Sequence, residues 1–355
     1  MRSKRISLVL FTLFFWILFH FQCTTKNDPI EKESCFEWRF STPEEQGFNT
    51  AALSDIITNF AHYEYVYSLL IMRHGYLVVE EYYNAQNQQT AHSVHSVSKS
   101  FTSALVGIAL DEGFLTSLDQ KVMDFFPEYA SEISDQRKYD ITLEHLITMQ
   151  SGFIWDESED NWIEYAGSPD WVEYALNLPL AFDPGTQFDY STPQTNLLSV
   201  ILAKATGQTL KQFAQQYLFK PLGISVAFWY QDPQGYYTGG HGMYFLPRNL
   251  IKFGYLYLHN GVFDGKQIVT VNWIEKSVQN YASNGASGYG YGWWTDIINE
   301  YSVYRAIGRG GQNILVVPDL DLLVVTTTSV DSWETSSEQG RTIHGFLEQI
   351  VFAAN

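Results

Sequence analysis

A serine and a lysine that could together perform acyl transfer lie three residues apart, at Ser96 and Lys99. Apolar residues then recur at helical spacing, at Phe101, Leu105, Ile108, Ala109 and Phe114. This pattern predicts a helix that begins near Ser96 and ends near Gly113. Because positions i and i+3 share one helix face, with Cβ atoms about 5–6 Å apart, Lys99 can reach the Ser96 hydroxyl and remove its proton. Such a pair is sufficient to activate a serine nucleophile without histidine.

Two other interpretations of this segment compete with catalysis. A helix-capping serine followed by a solvated lysine gives the same spacing, and about one such pair is expected by chance in a chain of this composition. Ser98 is a rival nucleophile, but it adjoins Lys99 and therefore points to another side of the helix. The catalytic interpretation gains support from two segments further along the chain.

The first of these segments, residues 184–191, begins with a Pro-Gly turn and contains Tyr190. An apolar helix is predicted just after it, over residues 196–202. The second segment is Gly308-Arg309-Gly310-Gly311-Gln312. Two short apolar runs joined by a Pro-Asp turn follow it, and they predict an antiparallel hairpin with strands over residues 314–317 and 322–326.

In this order, the segments resemble the serine β-lactamase-related hydrolases, which include class C β-lactamases, D-alanyl-D-alanine carboxypeptidases, family VIII esterases and 6-aminohexanoate-dimer hydrolases. The resemblance runs from about Trp38 to the C-terminus and includes TPEEQG (42–47), LITMQSG (146–152) and YGYGWW (289–294). The Gly-x-Gly-Gly-Gln pattern and residues 229–240 look closest to the 6-aminohexanoate-dimer hydrolases. The resemblance implies an α/β (α+β) fold of the β-lactamase/transpeptidase type, an antiparallel sheet flanked by helices with an inserted helical lobe.

The resemblance also implies roles for three side chains. Ser96 is the expected nucleophile, Lys99 its base, and Tyr190 a partner base that later protonates the leaving group. The pKa of a lysine is ordinarily near 10.4, so burial or a nearby cation must lower the pKa of Lys99. We expect the cations Lys99 and Arg309 to lower the pKa of Tyr190 as well. A packed aromatic residue near a helix start is the alternative interpretation of this tyrosine.

By the same resemblance, Arg309, Gly310 and Gly311 stand in the place of the family's Lys-Thr-Gly or His-Gly-Gly and contact the substrate. The backbone N–H groups of Ser96 and Gln312 then form the oxyanion hole. A tight loop leading into a strand is the structural alternative for this glycine run.

Two departures from the β-lactamase pattern bear on the substrate. Thr192 stands where asparagine is expected after the tyrosine, and Arg309 replaces lysine or histidine. We assign Thr192 to substrate binding, but its hydroxyl cannot offer an amide N–H to a β-lactam side chain. The pattern therefore favours an ester or a small amide, either linear or peptide, over a β-lactam.

The elements that must position these residues can be read from hydrophobic periodicity. Helices are predicted over residues 50–60, 196–205, 210–219, 250–258, 271–278 and 342–352. Strands are predicted over residues 69–72 and 77–79, joined at His74-Gly75, and between residues 289 and 328. Strands at both ends of the chain around a helical middle predict one α/β lobe built from both termini.

Composition narrows the functional classes. The formal net charge of −18 argues against nucleic acid as a partner, because such binding relies on Lys and Arg at the phosphates. His92 and His95 have helical spacing, yet no His-Glu-x-x-His or Cys cluster indicates a metal site. We therefore expect no metal and no cofactor, and a small-molecule or peptide substrate. The other functional class is a non-catalytic protein that binds β-lactam or peptidoglycan and retains this fold.

The N-terminus resembles a targeting segment. Basic residues at positions 2, 4 and 5 precede a nearly all-apolar run over residues 6–21. This run is short for a membrane span, so residues 1–22 are expected to act as an export signal, with an uncleaved anchor as the alternative. We expect residues 23–37 to form a polar tether and residues 38–355 the hydrolase domain. Cys23 carries lipid, pairs with Cys35 in a disulfide, or remains a thiol.

We predict that the mature protein is exported, to the periplasm or to a membrane to which its N-terminus attaches it. Mass spectrometry of the mature N-terminus should find Met1 removed, with added lipid mass if Cys23 is modified. An intact Met1 on a soluble cytoplasmic protein would contradict export. A free, unmodified Cys23 would contradict lipidation alone.

Overall fold

The computed structural model describes residues 36–330 and 332–355. In this part of the chain the helices are α1 Thr50–Phe60, α2 Ser98–Asp111, α3 Leu143–Ile147, α4 Glu159–Gly167, α5 Trp171–Asn177, α6 Thr192–Thr206, α7 Leu210–Ala214, α8 Lys220–Leu222, α9 Pro247–Leu258, α10 Val271–Ser277 and α11 Ser336–Ala353. The strands are β1 Val66–Arg73, β2 Tyr76–Tyr82, β3 His92–Ser93, β4 Phe228–Trp229, β5 Met243–Phe245, β6 Val262–Phe263, β7 Lys266–Gln267, β8 Ala282–Asn284, β9 Ser287–Tyr289, β10 Trp294–Ile298, β11 Tyr301–Gly308, β12 Gln312–Val317 and β13 Leu322–Thr328.

The large sheet joins the two ends of the chain. Within the described residues it has eight strands in the order β2-β1-β13-β12-β11-β10-β9-β8, and neighbouring strands are antiparallel. The N-terminal strand β1 pairs with the C-terminal strand β13, with Ile71 opposite Val324. Positive φ angles at His74 and Gly75 make the predicted turn between β1 and β2. The predicted hairpin of β12 and β13 is also present.

Helices cover both faces of this sheet. On one face α1 and α11 pack on the strands, with Phe60 against Phe346 at a ring distance of 4.5 Å. On the other face α2 and α9 meet through Phe101 and Phe253, whose rings stack at 3.7 Å. Every residue of β13 is buried, as expected for a strand with both faces covered.

Apart from α2 and α9, which cover the sheet, the residues between β2 and β8 form the helical lobe, with smaller two- and three-stranded sheets. Helix α6 lies at its centre and packs against α2, α3, α5 and α7. The expected antiparallel sheet with flanking helices and an inserted helical lobe is confirmed.

Several helix bounds differ from the prediction. Ser96 lies in a 3₁₀ turn, His95–Val97, that precedes α2 rather than in the helix itself. Helix α6 begins at Thr192, because Pro193 fits the first helical turn, where its missing N–H needs no partner. The helix predicted over residues 210–219 changes to π geometry at Gln215–Phe219. Helix α11 begins at Ser336, six residues before the predicted start.

The predicted export segment, Cys23 and Cys35 lie outside the described residues. Phe36, near the end of the predicted tether, already packs on the domain, stacked 4.9 Å from Phe263. Among the described residues, no helix combines the length and apolar character needed to span a membrane.

The contact of α9 with the sheet generates a prediction about stability. A methyl group at Gly254 would lie 2.4 Å from Leu323 Cδ1 and 2.8 Å from Ile314 Cγ2. Gly254→Ala should therefore lower the free energy of unfolding by about 1–3 kcal/mol through overpacking. Urea denaturation measures this change.

Gly345→Ala on α11 is the matched control, because no described atom lies within 4 Å of the added Cβ. It should stabilise the protein by about 0.5–1 kcal/mol, since alanine is the better helix former. Equal effects of the two substitutions would contradict the tight packing of α9.

Candidate active site

The nucleophile candidate lies on a strained turn at the start of α2. His95, the residue before Ser96, has a φ of +46°, a left-handed conformation that is uncommon for a residue with a side chain. The Ser96 Oγ accepts a hydrogen bond of 3.0 Å from Lys99 Nζ. The rival Ser98 points elsewhere, as its Oγ accepts a hydrogen bond of 3.4 Å from the N–H of Met243. The structure therefore brings Lys99 to Ser96.

Lys99 is buried, with 2 % of its surface exposed, and three oxygen atoms surround its Nζ. Besides Ser96 Oγ, Nζ donates to Thr192 Oγ1 at 2.8 Å and to the Gly240 carbonyl at 2.9 Å. Burial lowers the pKa of Lys99 to about 8; the charge of Glu157 opposes this shift and that of Arg309 adds to it. A substantial share of Lys99 is consequently neutral near pH 8 and able to accept a proton.

Tyr190 lines the same cavity as Ser96. Its ring faces Lys99 Nζ, 4.8 Å from the ring centroid, and stacks on Trp294 at 5.5 Å. The expected fall in the pKa of Tyr190 is wrong: burial and the charge of Glu157 raise this pKa, and Ser96 and Arg309 offset only part of the rise. The phenol therefore keeps its proton at neutral pH, where the proton is available for donation.

Thr192 lies at the start of α6 with 1 % of its surface exposed. Its hydroxyl accepts the hydrogen bond from Lys99 Nζ, and its backbone N–H donates to Glu157 Oε1 at 2.9 Å. The assignment of Thr192 to substrate binding is corrected, because its side chain is used to hold Lys99.

The turn after β11 also requires corrections. Gly308 passes closest to the nucleophile turn, since a Cβ there would lie 2.4 Å from the Val94 carbonyl oxygen. Gln312 is buried behind the turn, where its amide nitrogen donates to the carbonyl and the hydroxyl of Thr328 at 2.8 and 2.7 Å. Gly311 is buried against Ile343 of α11.

We expected Gly311 and Gln312 to lie beside the turn that carries Ser96. The structure instead places Gly308 there, three residues earlier in the chain than Gly311. The glycine that permits close approach to the nucleophile is Gly308, whereas Gly311 permits the approach of α11. Arg309 is the first residue past Gly308, so its backbone N–H replaces that of Gln312 as the second oxyanion donor that we propose. Gly310 remains on the cavity wall.

A cavity of about 380 Å³ opens in front of Ser96. Its walls come from β10, β11, the start of α11 and the helical lobe, and they include Glu157, Tyr190, Trp294, Ile307, Arg309 and Trp333. The Arg309 guanidinium lies over Trp333, with Cζ 3.3 Å from a ring centroid, and its Nη2 donates to the Glu157 carbonyl at 3.2 Å. The cavity is thus partly aromatic, with one arginine at its wall.

A larger cavity, of about 670 Å³, lies elsewhere, between Phe36, Arg39, Tyr255 and His259. The serine and lysine described above are not among its lining residues, so volume does not identify the site. Among residues 36–330 and 332–355, no group of three His, Cys, Asp or Glu side chains is placed to hold a metal ion.

A family model described as beta-lactamase matches residues 63–345. The chain belongs to the beta-lactamase family. It is 25% identical over 290 residues to the 6-aminohexanoate-dimer hydrolase of Paenarthrobacter ureafaciens, a match that covers 74% of this chain and 72% of that protein. A shorter match, 31% over 150 residues and 37% of each protein, is to the lovastatin esterase of Penicillium rubens. The fold resembles the octameric penicillin-binding protein homologue of Pyrococcus abyssi, with a TM-score of 0.67, 21% identity and coverage of 84% and 77% of the two chains.

Sequence reasoning missed two residues of this beta-lactamase-family site. Gly240 supplies the carbonyl that holds Lys99, and Glu157 places a carboxylate at the cavity wall. Glu157 belongs to a stretch without a motif of its own, and Gly240 lies in residues 229–240, which carry the family resemblance but were given no role in the site. Gly239-Gly240 and the tryptophans around Glu157 were visible in the sequence, but nothing local connects them to Lys99.

The close approach at Gly308 predicts a loss of turnover. Gly308→Ala should push β11 away from the turn that carries Ser96, and a displacement of about 1 Å can cost roughly 10²-fold in rate. The measurement is kcat on an activated ester. Gly167→Ala, where no described atom lies within 4 Å of the new Cβ, is the control and should retain full activity. An unchanged kcat in Gly308→Ala would contradict the register described here.

Proposed function

We propose that this beta-lactamase-family protein is a serine hydrolase that cleaves an ester or a small amide through an acyl-enzyme at Ser96. The observation that carries the proposal is the 3.0 Å hydrogen bond between Lys99 Nζ and Ser96 Oγ, made by a lysine whose pKa falls to about 8. A serine beside a base of this kind is an activated nucleophile. Relatives named as a 6-aminohexanoate-dimer hydrolase and a lovastatin esterase support an ester or linear amide as substrate.

In the acylation step, neutral Lys99 removes the Ser96 proton and the Ser96 Oγ forms a bond to the substrate carbonyl carbon. The carbonyl π electrons move to its oxygen, which the backbone N–H groups of Ser96 and Arg309 stabilise. Loss of one such donor typically costs about 2.7–4 kcal/mol of transition-state stabilisation. The bond to the leaving group then breaks, and the leaving oxygen or nitrogen takes the Tyr190 proton. Protonated Lys99 restores the proton of Tyr190.

Deacylation uses water as the nucleophile, with Lys99 first as base and then as acid. Lys99, neutral again, accepts a proton from a water molecule whose oxygen attacks the acyl carbonyl. When the bond to Ser96 breaks, Ser96 Oγ recovers a proton from Lys99. The product is the free acid, and the enzyme returns to its starting state.

The site favours esters and small amides over β-lactams for two reasons. The hydroxyl of Thr192 is already bonded to Lys99 and offers no amide N–H to a β-lactam side chain. Trp294, Trp333 and Ile307 give the cavity apolar walls that suit a small acyl or alkyl group. We further propose that the protein acts after export, attached to a membrane if Cys23 carries lipid.

A fluorophosphonate probe tests the proposed nucleophile. The wild-type protein should be labelled, Ser96→Ala should lose both labelling and turnover, and Ser98→Ala should keep labelling at Ser96. Turnover is measured on p-nitrophenyl esters, linear amides, nitrocefin and D-Ala-D-Ala peptides, and we expect the first two to be the better substrates. Full hydrolysis by Ser96→Ala would sink the proposal. Binding of peptidoglycan peptides without turnover would identify a non-catalytic binding protein instead.

A further inference from the structure

Glu157 occupies the active-site wall without a part in the proton transfers described above. Its carboxylate accepts three hydrogen bonds: Oε1 from Trp155 Nε1 at 3.0 Å and from the Thr192 N–H at 2.9 Å, and Oε2 from Trp162 Nε1 at 2.9 Å. Charge-assisted bonds of this type are shorter and stronger than neutral ones. The carboxylate therefore joins its own loop, α4 and the first residue of α6.

These bonds continue to the nucleophile. Glu157 Oε1 binds the backbone of Thr192, Thr192 Oγ1 accepts from Lys99 Nζ at 2.8 Å, and Nζ donates to Ser96 Oγ at 3.0 Å. Thr192 carries both the N–H that binds Glu157 and the hydroxyl that accepts from Lys99. A shift of the start of α6 therefore also moves the hydroxyl that holds Lys99 Nζ.

The negative charge of Glu157 has a second effect. The charged or titratable groups around Lys99 are His95, Glu157, Tyr190, His241 and Arg309. Burial lowers the pKa of His95 to about 4 and of His241 to about 3, so both are neutral where Lys99 titrates. The phenol of Tyr190 is neutral there as well. Arg309 is therefore the cation whose effect on the pKa of Lys99 is opposed by Glu157. Its Nη2 donates to the Glu157 carbonyl at 3.2 Å.

We propose that Glu157 is a positioning residue that sets both the place and the proton affinity of Lys99, through Thr192 and through its charge opposite Arg309. This role rests on the proposed function, in which Lys99 is the base. It predicts the direction of a pH shift. Neutral Lys99 is the active form, so the rate rises as pH passes its pKa. Without the carboxylate charge this pKa falls, and the acid limb of the pH–rate profile moves to lower pH.

The test is Glu157→Gln, which keeps the shape and removes the charge. We expect the acid limb of kcat to move down by about one pH unit and kcat at its plateau to fall by about 10-fold or more, since the amide cannot accept all three bonds. Asp160→Asn is the control, because Asp160 is an exposed acid three residues along the chain and should leave the profile unchanged.

Three further variants separate the effect of the Glu157 charge from its structural effect. Arg309→Gln in the Glu157→Gln background removes the unopposed cation and should move the acid limb back to higher pH. Thr192→Ser should keep most activity, whereas Thr192→Val, without the hydroxyl, should lose it. If Glu157→Gln lowers kcat but leaves the limb in place, Glu157 is a structural residue only and the proposal is overturned.

A direct titration distinguishes this proposal from the proposed function. The Cε resonance of Lys99 in the full-length protein, followed by NMR against pH, should titrate at lower pH in Glu157→Gln than in wild type. If the wild type hydrolyses nothing but this shift is present, the proposed function fails and the influence of Glu157 on Lys99 stands. If hydrolysis occurs and the resonance does not shift, the role of Glu157 is refuted.

Discussion

The burial of one amine, Lys99 Nζ, is the constraint on which the site depends. A lysine removed from water must find partners for its donors, and three oxygen atoms surround this one. They come from the turn before α2, from the start of α6 and from the loop before β5, so the two lobes must meet around Lys99. The same burial lowers its pKa toward neutrality, which makes it a usable base.

Helix α2 makes further hydrogen bonds from its buried polar side chains to neighbouring loops. Its first six residues are buried although all except Phe101 are polar. Ser100 Oγ donates to the Gly292 carbonyl at 2.7 Å and Thr102 Oγ1 to the Gly239 carbonyl at 2.8 Å. Asn196 Oδ1 of α6 accepts from the N–H groups of Gly239 and Gly240. Loops from both lobes are thus fixed on the helix that follows the nucleophile, and this limits the movement of Ser96 against its partners.

The site also balances its charges locally within a strongly acidic chain. The charge of Arg309 lowers the pKa of Lys99, and Glu157 lies close enough to raise it against that effect. The same carboxylate raises the pKa of Tyr190, so that tyrosine and lysine differ in proton affinity. A protonated phenol beside a partly neutral amine suits successive roles as acid and base. One carboxylate therefore acts on both groups.

The sequence by itself determined the features that local spacing controls. Three residues of separation bring Ser96 and Lys99 together, and two short apolar runs on either side of the Pro318-Asp319 turn determine the β12–β13 hairpin. Only the tertiary structure decided that Gly308, and not Gly311, lies beside the turn that carries Ser96. That position depends on packing against Val94 and Ile343, which are distant from these glycines in the chain or in another element. The tertiary structure also decided the direction of the Tyr190 pKa and the contacts of Thr192 and Glu157. Those properties depend on burial and on charges distant in the chain, which no local pattern contains.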